Sequence, residues 1–244
     1  MRRLLLAVAV VGLPAAAPAG EVEDLRDRVL RAVADNPADL KKLRTYTLKG
    51  TGKNKVGAVA IPAVMELTAS WPGKMMARWE NGEGAGKNIS VQCVTDDRGW
   101  QQGSTIPLAD MSIAAVNDFR ADAYARWVAM LGTLNDPGQQ LKLAPPMKVG
   151  GEPAVGLIVI RKPMPEVMLH FDAKTLLLRR SAYSAREAGV ATTREFLWDG
   201  HKVVDGLKMP TKERVVIQGK EMFEWTTLEF KFPEAIDAKV FAKP

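Results

Sequence analysis

The sequence predicts an α+β fold that is mainly antiparallel β, with one helix near the N-terminus and one helical segment inserted among the strands. Three observations carry this expectation. Residues Ala63 to Trp71 alternate apolar and polar after Val64, a period of two that marks a half-buried antiparallel strand. Trp198 to Pro210 contains two Asp-Gly pairs, Asp199-Gly200 and Asp205-Gly206, around a short β-type run closed by proline. Asp-Gly favours tight primed turns, because glycine takes up positive φ without a Cβ clash. Finally, Leu108 to Leu134 carries Met111, Val116, Phe119, Ala123, Trp127 and Leu131 at spacings of three to five, with Tyr124 and Val128 beside them. That spacing is helical.

At the N-terminus, Met1-Arg2-Arg3 forms a short basic segment ahead of the apolar run Leu4 to Leu13, and Ala17-Pro18-Ala19 offers a small-x-small cleavage site. This is the layout of a secretory signal peptide over residues 1–19, leaving a single domain over 20–244. The apolar run is too short to span a bilayer as a helix, which needs roughly 20 residues. No cysteine follows it, so lipid attachment of the bacterial lipoprotein type is not expected. The mature chain is therefore expected in an extracytoplasmic compartment, soluble and not lipidated.

Beyond the signal segment, Val22, Leu25, Val29, Leu30 and Val33 recur at helical spacing, with acidic residues in the first turn to suit the helix dipole. Asn36-Pro37 interrupts this helix, and Ala38 to Leu43 makes a second short one. From Thr45 the pattern becomes β-type. Pro72-Gly73 turns the chain, Lys74 to Glu80 places Met75, Ala77 and Trp79 on one face, and the Gly82 to Gly86 run makes the next turn. Asn88 to Thr95 and a short strand from Trp100 follow. Ile106-Pro107 opens the helical segment, expected over about 107–134. Two readings stand for it: a helix packed on the sheet for stability, or a lid over a cavity.

After Asn135 to Gly138 the β pattern returns. Ala154 to Arg161 is an almost continuous apolar run, as in a strand covered on both faces. Val167, Leu169 and Phe171 alternate with Met168, His170 and Asp172, and further strands are expected over Leu176 to Tyr183, Thr192 to Trp198, Val203-Val204, Arg214 to Gln218 and Glu221 to Phe232. The total is roughly ten or eleven strands.

Composition excludes several classes. An apolar fraction of 47% with 25% charged residues is that of a globular protein. The formal charge is +6, with 34 basic residues scattered among 28 acidic ones and no block of one sign, which argues against a nucleic-acid partner. One cysteine, Cys93, permits no intramolecular disulfide and fits a buried strand thiol. The two histidines, His170 on the polar side of a strand and His201 in a turn, have no companions at metal-ligand spacing. No nucleophile elbow, P-loop or dinucleotide fingerprint is present, and Gly82 to Gly86 reads as a hairpin loop. Asp96-Asp97, Asp199 and Asp205 are turn residues first. Neither an enzyme nor a cofactor is expected.

Six tryptophans and eleven methionines are many for this length. Met65, Leu67, Trp71, Met75 and Trp79 on strand faces and Phe119 and Trp127 on the helical segment, with Leu169 and Phe171 farther along, are the candidates for lining an apolar cavity. Rigid indoles and pliable thioethers suit variable acyl chains, although the same side chains also fill ordinary cores. Arg78 and Arg179-Arg180 are either headgroup contacts or solvated strand residues.

Three segments taken in order resemble the outer-membrane lipoprotein-sorting family, the LolA-like periplasmic proteins, and in particular its larger uncharacterised members of planctomycete type. They are Lys148 to Gly156, Leu169 to Leu178 and Val204 to Pro210. The closing Val240-Phe241-Ala242-Lys243-Pro244 fits the same group. The resemblance is best over about residues 140–244 and extends toward Glu21. It implies a half-open antiparallel β-barrel whose concave face is closed by helices around a cavity for acyl chains. The function it implies is a periplasmic binding or carrier protein for an acylated ligand, lipoprotein or lipid, with a membrane donor or acceptor protein as a further partner and a monomeric state. The alternative is an envelope sensing or protein-interaction module on the same fold, without a transported ligand.

Overall fold

A computed structural model of the chain describes residues 19–187 and 190–244. The expected signal peptide falls outside these residues, apart from Ala19. Helix α1 (Ala19–Val33) is followed by a 3-10 helix over Pro37–Arg44, whose first turn is capped by the Asn36 side chain accepting from the Ala38 N–H. Strands β1 (Thr45–Val56), β2 (Val59–Ser70), β3 (Lys74–Asn81), β4 (Asn88–Thr95), β5 (Arg98–Gly103) and the two-residue β6 (Ala109–Asp110) run as successive antiparallel neighbours. Helix α2 (Ile113–Ala129) comes next. Strands β7 (Gln140–Val149), β8 (Glu152–Ile160), β9 (Val167–Asp172), β10 (Leu178–Glu187), β11 (Val190–Asp199), β12 (Lys202–Val204), β13 (Leu207–Met209), β14 (Lys212–Ile217) and β15 (Lys220–Lys231) complete the chain.

The sheet has 13 strands in the order β6-β5-β4-β3-β2-β1-β15-β14-β11-β10-β9-β8-β7. The pairing of β1 with β15, Thr47 opposite Lys231 and Asn54 opposite Phe223, joins the N-terminal and C-terminal halves. The sheet stays open, with β6 and β7 as its edges. Strands β12 and β13 form a separate hairpin across the Asp205-Gly206 turn, where both residues have positive φ, 49° and 84°. This is the backbone a two-residue primed turn needs.

Alternation places the core. In β2, Ala63, Met65, Leu67 and Ala69 are buried while their neighbours are partly or fully exposed, so one face is committed to the interior. The helices cover that same face. Val29, Leu30 and Val33 of α1, Val116, Phe119 and Trp127 of α2, and Leu157, Leu169 and Phe171 of the sheet belong to one continuous apolar cluster. Cys93 is fully buried in a smaller cluster with Trp100 and Phe241, and burial pushes its thiol pKa up to about 12.

The structure corrects several details. Among the described residues it contains 15 strands, more than the roughly ten or eleven expected, because β6 and β13 are too short for a periodic signal and Pro145-Pro146 masks β7. The helical segment expected over 107–134 is helical only over Ile113–Ala129. Its start is fixed by Ser112, whose side-chain oxygen accepts from the Ala115 N–H at 3.2 Å. Its end is followed by Leu131 at positive φ, 64°. His170, expected on the polar side of its strand, is nonetheless buried, with its Nδ1 3.2 Å from Arg180.

Candidate functional site

Helix α2 lies across the concave face and divides the space there. Ala115, Asp118, Phe119, Asp122 and Arg126 follow one another at helical spacing and share one side of α2. That side borders a cavity of about 430 Å³. The opposite wall comes from strands far apart in sequence: Met65 of β2, Trp79 of β3, Phe196 of β11, Val215 of β14, and Phe223 and Trp225 of β15. Trp79 meets Phe119 edge-on at 6.3 Å, and Phe223 stacks on Trp225 at 5.4 Å. Gly50 of β1 lies beneath this wall. A Cβ there would come within 3.1 Å of Met65 Cε and 3.4 Å of the Trp225 ring, so the missing side chain lets these two settle against β1.

The cavity is not purely apolar. Arg126 and Glu213 form a buried ion pair between α2 and β14, with Arg126 Nη2 donating to Glu213 Oε1 at 3.2 Å and Nη1 to Oε2 at 3.4 Å. The guanidinium also lies 4.4 Å from the centre of the Phe196 ring. One turn back along α2, Asp122 accepts from Arg194 Nη1 at 2.6 Å and from the Tyr183 hydroxyl. Burial holds the Glu213 carboxyl above the usual carboxylate range and outweighs the attraction of Arg126. Burial also opposes the Arg126 charge, but the carboxylates of Glu213 and Asp122 outweigh that, and its pKa moves up. These contacts tie α2 to β10, β11 and β14. They also make the chamber amphiphilic, with charge on one side and aromatic and aliphatic groups on the other.

Of the residues the sequence singled out, Met65, Trp79 and Phe119 come together in this cavity. Trp71 and Trp127 do not. They pack against each other at 4.7 Å and line a second recess of about 280 Å³ on the other side of α2, together with Arg120, Arg161 and Asp97. Trp71 is held there by its Nε1–H, which donates to Asp136 Oδ2 at 2.8 Å. Leu67, Met75, Leu169 and Phe171 are buried in the core and line neither space. Arg78 pairs with Glu66 and Glu80 on the side of β3 opposite Trp79, while Arg179 and Arg180 pair with Asp199 and Glu195; none borders the cavity. Among the described residues no cluster of His, Cys, Asp or Glu is arranged to hold a metal ion.

Sequence reasoning missed the polar half of the site. One signal was present: Glu213 shares the strand parity of Val215, so a carboxylate stands in register with buried residues. A charge on the inner side of a strand asks for a partner, and Arg126 supplies it.

No protein-family model matches this sequence, and no curated protein matches it. Solved structures do. A LolA superfamily protein from Nitrosomonas europaea superposes with a TM-score of 0.57 over 91% of this chain and 97% of its own, at 9% identity. A putative outer membrane lipoprotein-sorting protein domain from Vibrio parahaemolyticus gives 0.54 over 93% and 98%, at 10% identity. The fold is LolA-like. A DUF1329 family protein from Desulfovibrio piger is similar to the same extent, with a TM-score of 0.57 over 91% and 97% at 12% identity. The fold expected from Lys148–Gly156, Leu169–Leu178 and Val204–Pro210 is thus the fold observed. In this LolA-like fold the sheet stays open, and α2 packs on it.

Proposed function

We propose that the chain is a periplasmic carrier that holds an acylated ligand, lipoprotein or lipid, in the cavity between α2 and the sheet. The observation that carries this reading is the cavity itself. About 430 Å³ lies within the range of small-molecule sites, and Met65, Trp79, Phe119, Phe223 and Trp225 offer continuous apolar contact. Each methylene moved from water into such surroundings contributes about 0.8 kcal/mol. A chain of about eight methylenes would therefore gain roughly 6 kcal/mol before the costs of ordering it. The charged side of the chamber, around Asp122, Arg126 and Arg194, gives the polar end of an amphiphile a place to lie.

Binding of this kind asks for no nucleophile and no general acid or base, and the carrier role proposed here involves no covalent step. Among the described residues no helix is long and apolar enough to cross a membrane. The LolA-like fold of the neighbours supports the carrier reading, one of them being named for lipoprotein sorting. Native mass spectrometry of protein recovered from the periplasm tests it. A bound lipid or acyl species should be released on activation in the gas phase. Protein that is free of lipid and also fails to bind a fluorescent fatty acid would overturn the reading.

A further inference from the structure

The cavity lies toward one end of the sheet, and the register shows which segments share that end. Ile217, Phe223 and Arg186 are lining residues close to that end of their strands. Asn54 of β1 is level with Phe223, so the turn joining β1 to β2 lies beside the turn at Gln218-Gly219 that joins β14 to β15. Arg194 of β11 is level with Ile217, which brings the start of β11 to the same end. Asn81, the last residue of β3, faces Ala63, so the β1–β2 hairpin projects four residues farther than β3, roughly 13 Å at about 3.3 Å per residue.

These projecting segments are apolar and open to solvent. Val56 is 57% exposed, Val59 60% and Val190 62%, and Gly57, Ala58, Ala60 and Ala191 between or beside them are exposed as well. Single exposed aliphatics are ordinary on any surface. Here they lie at the same end of the sheet as the cavity, on the β1–β2 hairpin and at the start of β11, with the β14–β15 hairpin between them. From Val56 to Pro62 the chain has no charged residue; among the described residues Lys53 and Lys220 are exposed and make no ion pair, Lys55 is paired with Glu221 and Glu224, and Glu187 stands opposite Val190 in the register.

We propose that this rim docks the protein on a lipid bilayer bearing anionic headgroups, with the valine tips entering the headgroup layer and the cavity mouth against the membrane. Three features favour a bilayer over a folded protein. The tips are small aliphatics on separate turns, without the aromatic anchors or the central pocket on which protein interfaces concentrate their affinity. Lysines beside apolar tips complement a negative lipid surface. An acyl chain leaving the chamber at such a contact passes from one apolar phase to another without crossing water. The proposal goes beyond the carrier reading, because it concerns where the mouth sits rather than what the cavity holds.

Flotation of the full chain with vesicles of phosphatidylcholine, with or without about a third phosphatidylglycerol, tests the proposal. The wild type should float with the anionic vesicles and much less with the neutral ones. Val56→Asp/Val59→Asp should lower the bound fraction at least about tenfold, and Lys53→Glu/Lys220→Glu several-fold. These side chains are solvent-exposed near the hairpin ends and do not line the cavity, so circular dichroism and fluorescent fatty-acid binding in free solution should be unchanged. No association of the wild type with anionic vesicles, equal association with both vesicle types, or association of the Val56→Asp/Val59→Asp protein equal to wild type would each overturn the proposal. Loss of fatty-acid binding with vesicle association intact would instead count against the carrier reading alone.

Discussion

Replacing Glu213 by alanine is expected to destabilise the fold by about 3 kcal/mol. Glu213 is 1% exposed and accepts both hydrogen bonds that the Arg126 guanidinium makes to it. Removing one member of a buried pair leaves the other charge without its counterion, which costs about 3–5 kcal/mol. The lower end applies here, because Arg126 keeps the nearby Asp122 charge and the Phe196 ring. For a domain of this size about 3 kcal/mol lowers Tm by roughly 6–12 °C. The companion variant Arg126→Met/Glu213→Leu removes both charges and keeps most of the volume. It should recover most of the loss, since replacing a buried pair by apolar groups is often neutral or stabilising by about 1–4 kcal/mol. Urea unfolding followed by tryptophan fluorescence reads both variants. A Glu213→Ala protein within about 1 kcal/mol of wild type, or a double variant as unstable as the single one, would refute the reasoning that this pair anchors α2 to the sheet.

Three further outcomes follow from the same geometry. Because burial raises the Glu213 pKa, the folded state holds that proton more tightly than the unfolded chain. The stability this contributes is fully present below the ordinary carboxylate range and is lost as pH rises through the raised value. The stability of wild type relative to Glu213→Gln should therefore fall as pH rises from the ordinary carboxylate range through the raised value, and a flat difference would contradict it. Cys93, fully buried with its thiol pKa near 12, should resist alkylation in the native protein at neutral pH and react only on unfolding. Ala115→Trp, at the α2 side of the cavity, should weaken fluorescent fatty-acid binding by about tenfold or more with little change in Tm, because the indole takes space meant for the ligand.

Much of the fold was legible because its signals are local. The alternation from Ala63 to Trp71, the Asp-Gly turns and the helical spacing around Phe119 and Trp127 each depend on residues close in sequence, and each corresponds to an observed element. Strand number was harder to read. Strand β6 has two residues and β13 three, so neither offers a period to detect. The site was only partly legible for a different reason. The cavity wall gathers β2, β3, β11, β14 and β15, and which inward-facing side chain borders empty space rather than core depends on long-range register. Leu67 and Met65 share one face of β2, yet only Met65 reaches the cavity. The pairing within the charged group formed by Asp122, Arg126, Arg194 and Glu213 was illegible for the same reason, since it brings α2 to strands 72 and 87 positions away.

The central claim, that the space between α2 and the sheet holds an acyl chain, is tested most directly by photo-crosslinking. A fatty acid carrying a diazirine near the end of its chain is bound to the full-length protein, irradiated, and the adducts are mapped by peptide mass spectrometry. The account predicts labelling at Met65, Trp79, Phe119, Phe223 or Trp225, competed by unlabelled fatty acid and lost in Ala115→Trp. Adducts confined to the outer face around Arg78 and Glu66, or no adduct competed by fatty acid, would contradict it.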